Sequence, residues 1–403
     1  MKAVMYGGGN IGRGFIGQLL SQSGYEVTFI DVADAVVNSL NSEHKYPVRI
    51  LSNEGHRDIE VTNVRAVHGN NTEAVAEAIA NADIMATAVG ARILKFIVPN
   101  IIAGLRKRWA ENKPPLNIII CENLMDANKV LEQMLKEQLT EEEQRLFDET
   151  VGLVEASIGR MVPIQTEEMK DGEPMRVCVE SYGFLPVDKG AFLGDIPDIK
   201  NMVPFEPFDF YIKRKLYLHN MGHAICAYLG DLLGLEYIYQ AIDVPEIKII
   251  VQNAMLESAI ALSKTYCVPL EELLCHAEDL LYRFTNKALQ DTCKRVGGDP
   301  ARKLSAQDRL IGASSLVMQT GETPVYIAIG CAAGLHRLVA ESGLEQTLEN
   351  AKATLLQTSG LAENDRLTTL ILEIYKKVLA GETLSQLRHF GQEEKATRRH
   401  NVI

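Results

Sequence analysis

The sequence predicts an α/β protein in which an N-terminal doubly wound sheet is followed by a mostly α-helical C-terminal domain. In the N-terminal half, short apolar runs alternate with segments of helical periodicity, and this alternation is typical of βαβ units. A glycine-rich turn, which starts at Gly7, directly follows the first apolar run. Helical periodicity dominates from about residue 205 to about residue 385, which indicates a second domain of a different class.

The predicted strands of the sheet are four apolar runs, in chain order KAVMY, YEVTFIDV, ADIMATAVG and LNIIICEN. Such runs are typical of parallel strands that are buried on both faces. Helical spacing predicts helices in the segments between or beside them, IGRGFIGQLLSQSG, ADAVVNSLNSE, TEAVAEAIAN and ARILKFIVPNIIAGLRKRW. The charge-dense residues 135–149 predict one exposed helix, and residues 176–188 have strand character.

The chain length of 403 residues favours two domains over a single core. The pattern changes within the proline-rich segment GDIPDIKNMVPFEPF. We therefore expect a sheet domain over residues 1–200, a helical domain over residues 201–390 and a polar tail over residues 391–403.

Composition and charge exclude several classes of partner. The formal net charge of −12 disfavours binding to nucleic acid or to an anionic membrane. No apolar window reaches the length of a membrane span, and the N-terminus lacks the pattern of a signal peptide. The seven cysteines are scattered and form no CxxC, so we expect reduced thiols in a cytoplasmic protein and no metal site.

The opening glycines, Gly7, Gly9 and Gly12, have the spacing of a Rossmann dinucleotide-binding turn. Gly7 permits the turn, Gly9 lets the backbone approach a pyrophosphate, and Gly12 lets the helix pack close to the strand. We expect the amide groups of Asn10 and Ile11 to face the phosphates at the positive end of this helix.

Asp31 ends the second predicted strand, 19 residues after Gly12. Its carboxylate can accept hydrogen bonds from a ribose diol and would repel a 2′-phosphate, so NAD is favoured over NADP. The residues leave two alternatives open, a glycine-rich turn without a ligand and a solvated Asp at a strand end. Arg13, at the start of the helix, contacts phosphate or faces solvent.

A second group of polar residues lies on an otherwise apolar predicted helix, KRKLYLHNMGHAICAYLG. At about 100° per residue, Lys215, Asn220 and His223 fall within one broad face. A desolvated Lys can act as a general base near neutral pH, and Asn and His can bind an alcohol oxygen. The alternative is an amphipathic helix with a solvated Lys and a core His. His219 lies on the same face, where we expect a packing or rim role, with membership of the site as the alternative.

Over most of its length the chain resembles the polyol-specific long-chain dehydrogenases of the mannitol dehydrogenase family. The resemblance includes GGGNIGRGFIGQLL, TAVG, LNIIICEN, KLYLHNMGHAICAYLG and RVGGDPARKLSAQDRLI. Lys215, Asn220 and His223 match the family signature Lys-x4-Asn-x2-His, which implies that Lys215 is the general base. The other two would bind and polarise the reacting oxygen, without a metal. The resemblance also implies that Asn123, in CEN, points toward that oxygen and the nicotinamide, and that Val89, in TAVG, contacts the cofactor.

Relatives place a basic pair later in the helical domain, where it contacts distal substrate oxygens. Arg295 and Lys303 have the matching spacing in RVGGDPARKL, and Arg is suited to bidentate contacts with phosphate. Arg302 and Arg309 lie in the same segment. For these two, pairing with the protein's own carboxylates is an equal alternative.

One position departs from the family pattern. Where the family has Asp before Arg in a segment of the form DR-[IM]-[VT]-P, this chain has Gly159 before Arg160. A missing carboxylate changes how a substrate hydroxyl or the base is held. Glu155, four residues earlier, is an alternative source of that carboxylate.

The resemblance implies an NAD-dependent, zinc-independent oxidoreductase that interconverts mannitol 1-phosphate and fructose 6-phosphate. A hexuronate reductase acting on fructuronate or tagaturonate, or another polyol dehydrogenase of the same family, is the first alternative. A catalytically idle NAD-binding regulator is the second. The expected partner is a small polyol or sugar phosphate, and the sequence leaves the oligomeric state open.

Overall fold

A computed structural model of the chain describes residues 1–400, with side chains described up to residue 396. The chain divides into two compact units, Met1–Asp209 and Phe210–Ile403. Within residues 1–400, no helix is both long and apolar enough to cross a membrane.

The first unit contains a mixed set of strands and helices. Its strands are β1 (Lys2–Tyr6), β2 (Glu26–Asp31), β3 (Lys45–Ser52), β4 (Gly55–Thr62), β5 (Val64–His68), β6 (Ile84–Thr87), β7 (Leu116–Ile120), β8 (Val151–Glu155), β9 (Val177–Glu180), β10 (Leu185–Asp188) and β11 (Met202–Phe205). Its helices are α1 (Gly17–Gln22), α2 (Asp34–Glu43), α3 (Thr72–Ala80), α4 (Leu94–Ala110), α5 (Ala127–Lys136), α6 (Glu141–Thr150) and α7 (Glu167–Lys170).

The central sheet is parallel and has the strand order β5-β2-β1-β6-β7-β8. This order reverses direction between β1 and β6, which is the switch point of a doubly wound fold. The predicted fold class is therefore confirmed for this unit. At a switch point the carboxyl ends of the strands form the crevice in which ligands bind.

Both faces of the central sheet are buried, which explains the near-continuous apolar runs. Met5 and Phe29 pack into one core with Phe15 of the first helical turn. Val4 and Ile30, the neighbours of these strand residues in sequence, belong to a second core. Successive side chains of a strand point to opposite faces, so helices must cover the sheet on both sides.

We expected one helix over the charge-dense segment 135–149. The structure has two helices there, the end of α5 and most of α6. The break has a local cause in a capping box at Thr140. The Thr140 hydroxyl accepts a hydrogen bond from the Glu143 amide at 3.2 Å, and the Glu143 carboxylate accepts one from the Thr140 amide at 2.9 Å. These bonds satisfy the amides of a new helix start, so the chain turns there.

Strands β3, β4 and β9 form a small sheet; β9 lies within the predicted strand segment 176–188, whereas β3 and β4 were not predicted. Strand β4 is exposed along most of its length, so it lacks the apolar alternation that identifies a strand. Arg49 of β3 and Asp58 of β4 form a two-bond ion pair across this sheet, with distances of 2.7 and 2.9 Å. Strands β10 and β11 pair in parallel as a separate ribbon.

The second unit is helical. Its helices are α8 (Asp209–Arg214, which starts at the last residue of the first unit), α9 (Met221–Leu232), α10 (Ile238–Asp243), α11 (Pro245–Tyr266), α12 (Leu270–Phe284), α13 (Cys293–Val296), α14 (Pro300–Lys303), α15 (Ile311–Gln319), α16 (Val325–Glu341), α17 (Leu348–Ser359), α18 (Arg366–Leu379) and α19 (Leu384–His400). Helices α9 and α16 are buried along most of their length, as expected of core helices that are apolar all round.

The expected polar tail begins inside a helix, because residues 391–400 belong to α19. Residues 401–403 lie outside the described residues.

Candidate active site and cofactor site

The glycine turn after β1 has the backbone geometry that a dinucleotide-binding turn requires. Gly7 has φ 101°, which favours glycine, and its amide donates to the Ile30 carbonyl at 2.8 Å. A Cβ on Gly12 would lie 1.9 Å from the Gly7 carbonyl oxygen. A Cβ on Gly9 would meet no atom within 4 Å. The fold therefore requires glycine at Gly7 for its backbone angle and at Gly12 for space, whereas the absence of a side chain at Gly9 leaves open space above the turn.

The helix after this turn begins at Asn10 and passes through a π-helical turn, Gly12–Ile16. Amides in the first turn of a helix have no carbonyl partner within that helix, so those of Asn10 and Ile11 are available to an anion at its positive end. Asn10 is exposed and Ile11 is half-buried. These features fit a pyrophosphate on the backbone.

The Arg13 side chain neither contacts this anion position nor faces solvent, the two outcomes that the sequence left open. It is buried, and its guanidinium donates to the Gly8 carbonyl at 2.7 Å and to the Met175 carbonyl at 2.6 Å. Arg13 therefore supports the turn from inside the fold.

Asp31 ends β2 beside the glycine turn. Its Oδ2 accepts a hydrogen bond from the Gly8 amide at 2.6 Å, and its Oδ1 accepts one from the Ala33 amide at 2.9 Å. These two bonds fix the orientation of the carboxylate before any ligand binds. Each carboxylate oxygen can accept more than one hydrogen bond, so the group still has capacity for a ribose diol.

The loop after β6 is held by a residue that the sequence analysis did not single out, Glu122. Its buried carboxylate accepts hydrogen bonds from the amides of Val89 at 2.9 Å and Gly90 at 2.7 Å. Asn123, the next residue, is exposed at the end of β7. The sequence did carry a signal for Glu122, because it is an acidic residue at the end of an apolar run, between Cys121 and Asn123.

In the second unit, Lys215–Asn220 is a π-helical segment between α8 and α9. The 100° step used for the sequence prediction therefore does not apply across these six residues. A π-helix bonds residue i to residue i+5, and Lys215 and Asn220 have that separation, so they lie one above the other on one side of the helix. Both are half-buried.

His223 follows one turn later, in α9. Its ring stacks on Phe284, with centroids 4.7 Å apart and 10° between the planes, and its Nε2 lies 3.4 Å from Asp291 Oδ2. Burial lowers the pKa of His223 to about 4, against the opposing effect of Asp291. The imidazole is therefore neutral at physiological pH.

His219 is buried between aromatic rings, with centroids 6.0 Å from Phe284 and 6.1 Å from His223. Burial, reinforced by the nearby cation of Arg283, lowers the pKa of His219 well below its usual value. A neutral ring in such contacts has the packing role that the sequence analysis expected.

The basic segment 295–309 is engaged in internal contacts. Arg295 donates through Nε at 2.8 Å to Asp291 Oδ1, and its Nη2 lies 2.6 Å from the same oxygen. Its side chain stays 43% exposed, so it can still meet a ligand. Lys303 is buried, its Nζ donates to the carbonyls of Val296 at 2.8 Å and of Gly298, and burial lowers its pKa to about 8.

The other two arginines of this segment pair with carboxylates. Arg302 contacts Asp299 at 2.7 Å and Asp308 at 3.0 Å. Arg309 contacts Asp308 at 2.7 Å. These are the internal ion pairs that the sequence analysis kept as the alternative.

The departure at Gly159 lies against an aromatic ring, since a Cβ there would be 3.0 Å from Tyr182. The retained Arg160 is buried and donates to the Gly14 carbonyl at 2.8 Å and to Gln18 Oε1 at 2.9 Å. It therefore fixes the helix that follows the glycine turn. Among the described residues, no group of three or more His, Cys, Asp or Glu side chains is arranged to hold a metal ion.

Comparison with known families accounts for both units. The mannitol dehydrogenase Rossmann domain family matches residues 1–201, and the mannitol dehydrogenase C-terminal domain family matches residues 208–387. The chain belongs to the mannitol dehydrogenase family. It is an oxidoreductase of the polyol dehydrogenase class, which confirms the resemblance found in the sequence.

Two curated relatives are named mannitol-1-phosphate 5-dehydrogenase. The protein from Bacillus pumilus is 37% identical over 387 residues, covering 93% of this chain and 99% of the relative. The protein from Thermoanaerobacter pseudethanolicus is 36% identical over 384 residues, covering 94% and 98%.

Solved structures confirm the fold of this mannitol dehydrogenase family member. Mannitol 2-dehydrogenase of Pseudomonas fluorescens, in a ternary complex with NAD and D-mannitol, has a TM-score of 0.74 at 14% identity, covering 97% of this chain and 94% of the other. A substrate-free D-sorbitol dehydrogenase has a TM-score of 0.81 at 15% identity, covering 96% and 94%.

Proposed function

We propose that this polyol dehydrogenase interconverts mannitol 1-phosphate and fructose 6-phosphate, with NAD as cofactor, Lys215 as general base and no metal. The observation that carries the chemistry is that Lys215 and Asn220 lie at the two ends of one π-helical segment, followed by the neutral ring of His223. The names of the curated relatives supply the substrate.

The first unit has the groups that NAD needs. The open space over Gly9 admits a pyrophosphate, and the amides of Asn10 and Ile11 hold it. Asp31, already oriented by two backbone amides, binds the ribose diol. Val89 completes the cofactor contacts. When bound, NAD accepts a hydride from the alcohol carbon or returns it to the ketone.

The second unit supplies the proton chemistry. Lys215 takes the proton of the reacting hydroxyl, and the same amine returns it in the reverse direction. Asn220 donates an N–H to the oxygen as negative charge develops there. His223, neutral at pH 7, orients the hydroxyl or the Lys215 amine by accepting a hydrogen bond. In the first unit, Asn123 is exposed just after β7 and is assigned to the nicotinamide of the cofactor.

The phosphate is assigned to a single cation. Arg295 keeps an exposed guanidinium, and its planar geometry suits two contacts with an anionic group. Lys303 Nζ is engaged with loop carbonyls, so this proposal assigns the direct phosphate contact to Arg295 and not to Lys303.

The test follows NADH absorbance with fructose 6-phosphate, first for the natural protein and then for Lys215→Ala. Loss of a general base lowers kcat by about 10²- to 10⁴-fold. Lys213→Ala is the matched control, since this Lys lies two residues earlier, in α8, with Nζ 5.9 Å from the Tyr266 ring centroid. An undiminished rate for Lys215→Ala contradicts the base assignment, and a rate lost to a chelator contradicts metal independence.

A second candidate is a hexuronate reductase. Gly159 in place of the family Asp leaves the substrate open, and the exposed guanidinium of Arg295 suits a carboxylate as well as a phosphate. The same assay with fructuronate and tagaturonate distinguishes the candidates, because kcat/KM ranks competing substrates directly. Measurements with NADH and NADPH test the cofactor in the same assay.

The free cysteines of the chain agree with the cytoplasm as the expected compartment.

A further inference from the structure

Asp291 is a buried carboxylate that contacts two residues of the proposed site at once. Its Oδ2 lies 3.4 Å from His223 Nε2. Its Oδ1 is engaged by the Arg295 guanidinium at 2.8 Å through Nε and at 2.6 Å through Nη2. The carboxylate is only 7% exposed, so these contacts are shielded from bulk water. Electrostatic interactions are stronger in such surroundings than in water.

The backbone around Asp291 is held on both sides. The Ile238 amide donates to the Asp291 carbonyl at 2.9 Å, and the Cys293 amide donates to the Glu236 carbonyl at 2.8 Å. These bonds join the segment to the start of α10. Thr292 then caps α13, its hydroxyl accepting a hydrogen bond from the Arg295 amide at 3.1 Å. The carboxylate therefore has a fixed place from which to act.

The contact with Asp291 selects one form of the His223 ring. An ionised carboxylate only accepts hydrogen bonds, so the nitrogen that faces it, Nε2, carries the proton of the neutral ring. The other nitrogen, Nδ1, keeps its lone pair. Stacking on Phe284 fixes the plane of the ring. A ring fixed in plane and in tautomer offers its acceptor in one direction.

The charged surroundings of His223 explain why a carboxylate is needed there. Besides Asp291, the groups that act on its titration are the cations of Arg295, Arg309 and Arg283, and the His219 ring lies alongside. The three arginines oppose a positive imidazole. Asp291 is the acidic group among these neighbours, so it alone draws the N–H of the ring.

We propose that Asp291 is a positioning residue of the dehydrogenase site. Asp291 fixes the tautomer and the direction of the His223 ring, and it keeps Arg295 at a constant distance from that ring. Asp291 itself touches no substrate. The group that orients the reacting oxygen and the group that binds the distal anion are thereby held as one unit. This inference rests on the proposed function, because that function gives His223 and Arg295 their roles.

Asp291→Asn tests the proposal with little change in shape. If the Asn oxygen stays with Arg295, its amide nitrogen becomes a donor facing His223 Nε2, and the other tautomer is favoured. We expect kcat to fall about 100-fold and KM for the sugar phosphate to rise, with an unchanged dissociation constant for NADH. Asp58→Asn is the matched control, since Asp58 forms a two-bond ion pair with Arg49 in the first unit, at 2.7 and 2.9 Å; its kcat should stay at the natural value.

A double-mutant cycle separates positioning from general support of the fold. If Asp291 acts through His223, then Asp291→Asn costs much less in kcat when it is made in a His223→Ala background. A loss of equal size in both backgrounds overturns the proposal, as does an Asp291→Asn variant with the natural kcat and KM.

A spectroscopic readout keeps this test independent of turnover. In protein with ¹⁵N-labelled histidine, the His223 ring, assigned by comparison with His223→Ala, should show a protonated Nε2 and an unprotonated Nδ1. In Asp291→Asn this pattern should reverse. An unchanged pattern overturns the proposal even if the natural protein reduces none of the tested ketoses, an outcome that would refute the proposed function instead.

Discussion

Replacing Glu122 with Gln tests whether the loop after β6 is part of the cofactor site. The buried Glu122 carboxylate accepts hydrogen bonds from two consecutive amides, those of Val89 and Gly90. Gln keeps one acceptor oxygen and turns an NH₂ group toward the other amide. One charge-assisted bond is lost, which costs about 2 kcal/mol.

This free energy has a definite consequence if the loop must hold one conformation to bind NADH. At about 1.4 kcal/mol per factor of ten, a cost of about 2 kcal/mol raises the dissociation constant by about 30-fold. Isothermal titration of the natural protein and Glu122→Gln with NADH measures the change directly. Thermal unfolding of both proteins, without ligand, shows how much of the cost falls on the fold.

Glu257→Gln is the matched control for this experiment. Glu257 is also buried and accepts hydrogen bonds from two consecutive amides, Tyr326 at 3.2 Å and Ile327 at 3.1 Å, but it lies in the helical unit. It should lower the melting temperature and leave NADH binding unchanged. If Glu122→Gln binds NADH as tightly as the natural protein, the loop holds no cofactor and the reasoning is refuted.

Four further substitutions have distinct expected outcomes. Gly9→Ala should weaken NADH binding without lowering the melting temperature, because its Cβ enters open space, whereas Gly12→Ala should lower both, because its Cβ would lie 1.9 Å from the Gly7 oxygen; equal melting temperatures would contradict this. Burial and the nearby Asp126 carboxylate raise the pKa of Glu155 to about 7, whereas an unfolded Glu has a pKa of about 4.3. Between pH values of about 4.3 and 7, the folded state therefore binds more protons than the unfolded state. In this range Glu155 makes the free energy of unfolding fall as pH rises. Glu155→Gln should therefore be more stable than the natural protein by up to about 2 kcal/mol at pH 8, after allowance for partial exposure, and the difference should shrink at pH 5; urea unfolding at both pH values decides, and a difference independent of pH would contradict it. Lys395→Met should lower the free energy of unfolding by about 3 kcal/mol, because it leaves the buried Glu257 carboxylate without the ammonium that lies 2.8 Å away; an unchanged melting temperature would show that the pair contributes nothing.

The parts of the fold that sequence predicted correctly are those with a local signal. Strands β1 and β2 are buried on both faces of the central sheet, so their sequences are near-continuous apolar runs that hydrophobicity alone identifies. The hairpin of β3 and β4 has no such signal, because β4 is exposed and is held by pairing with its neighbour. Pairing between distant segments has no periodicity along the chain.

The candidate site shows the same division. Lys215, Asn220 and His223 lie within nine residues and were proposed from their match to a family signature, because spacing alone left an ordinary amphipathic helix as the alternative. Their side of the helix could not be derived from the 100° step, because a π-helical turn replaces the α-helix there. Asp291 lies far along the chain from His223 and meets it only because its segment is hydrogen-bonded to the residues that start α10.

By itself, the sequence determined the class of the fold, and it supplied the glycine turn, Asp31 and the proton-carrying residues as candidates. Each of these depends on residues close together in the chain, where spacing and hydrophobic period act directly. The tertiary structure decided what holds those groups: Arg13 under the turn, Glu122 behind the loop at Val89 and Asp291 beside His223. A buried polar group must find its partner wherever the folded chain brings one, and that partner's position leaves no trace in local sequence.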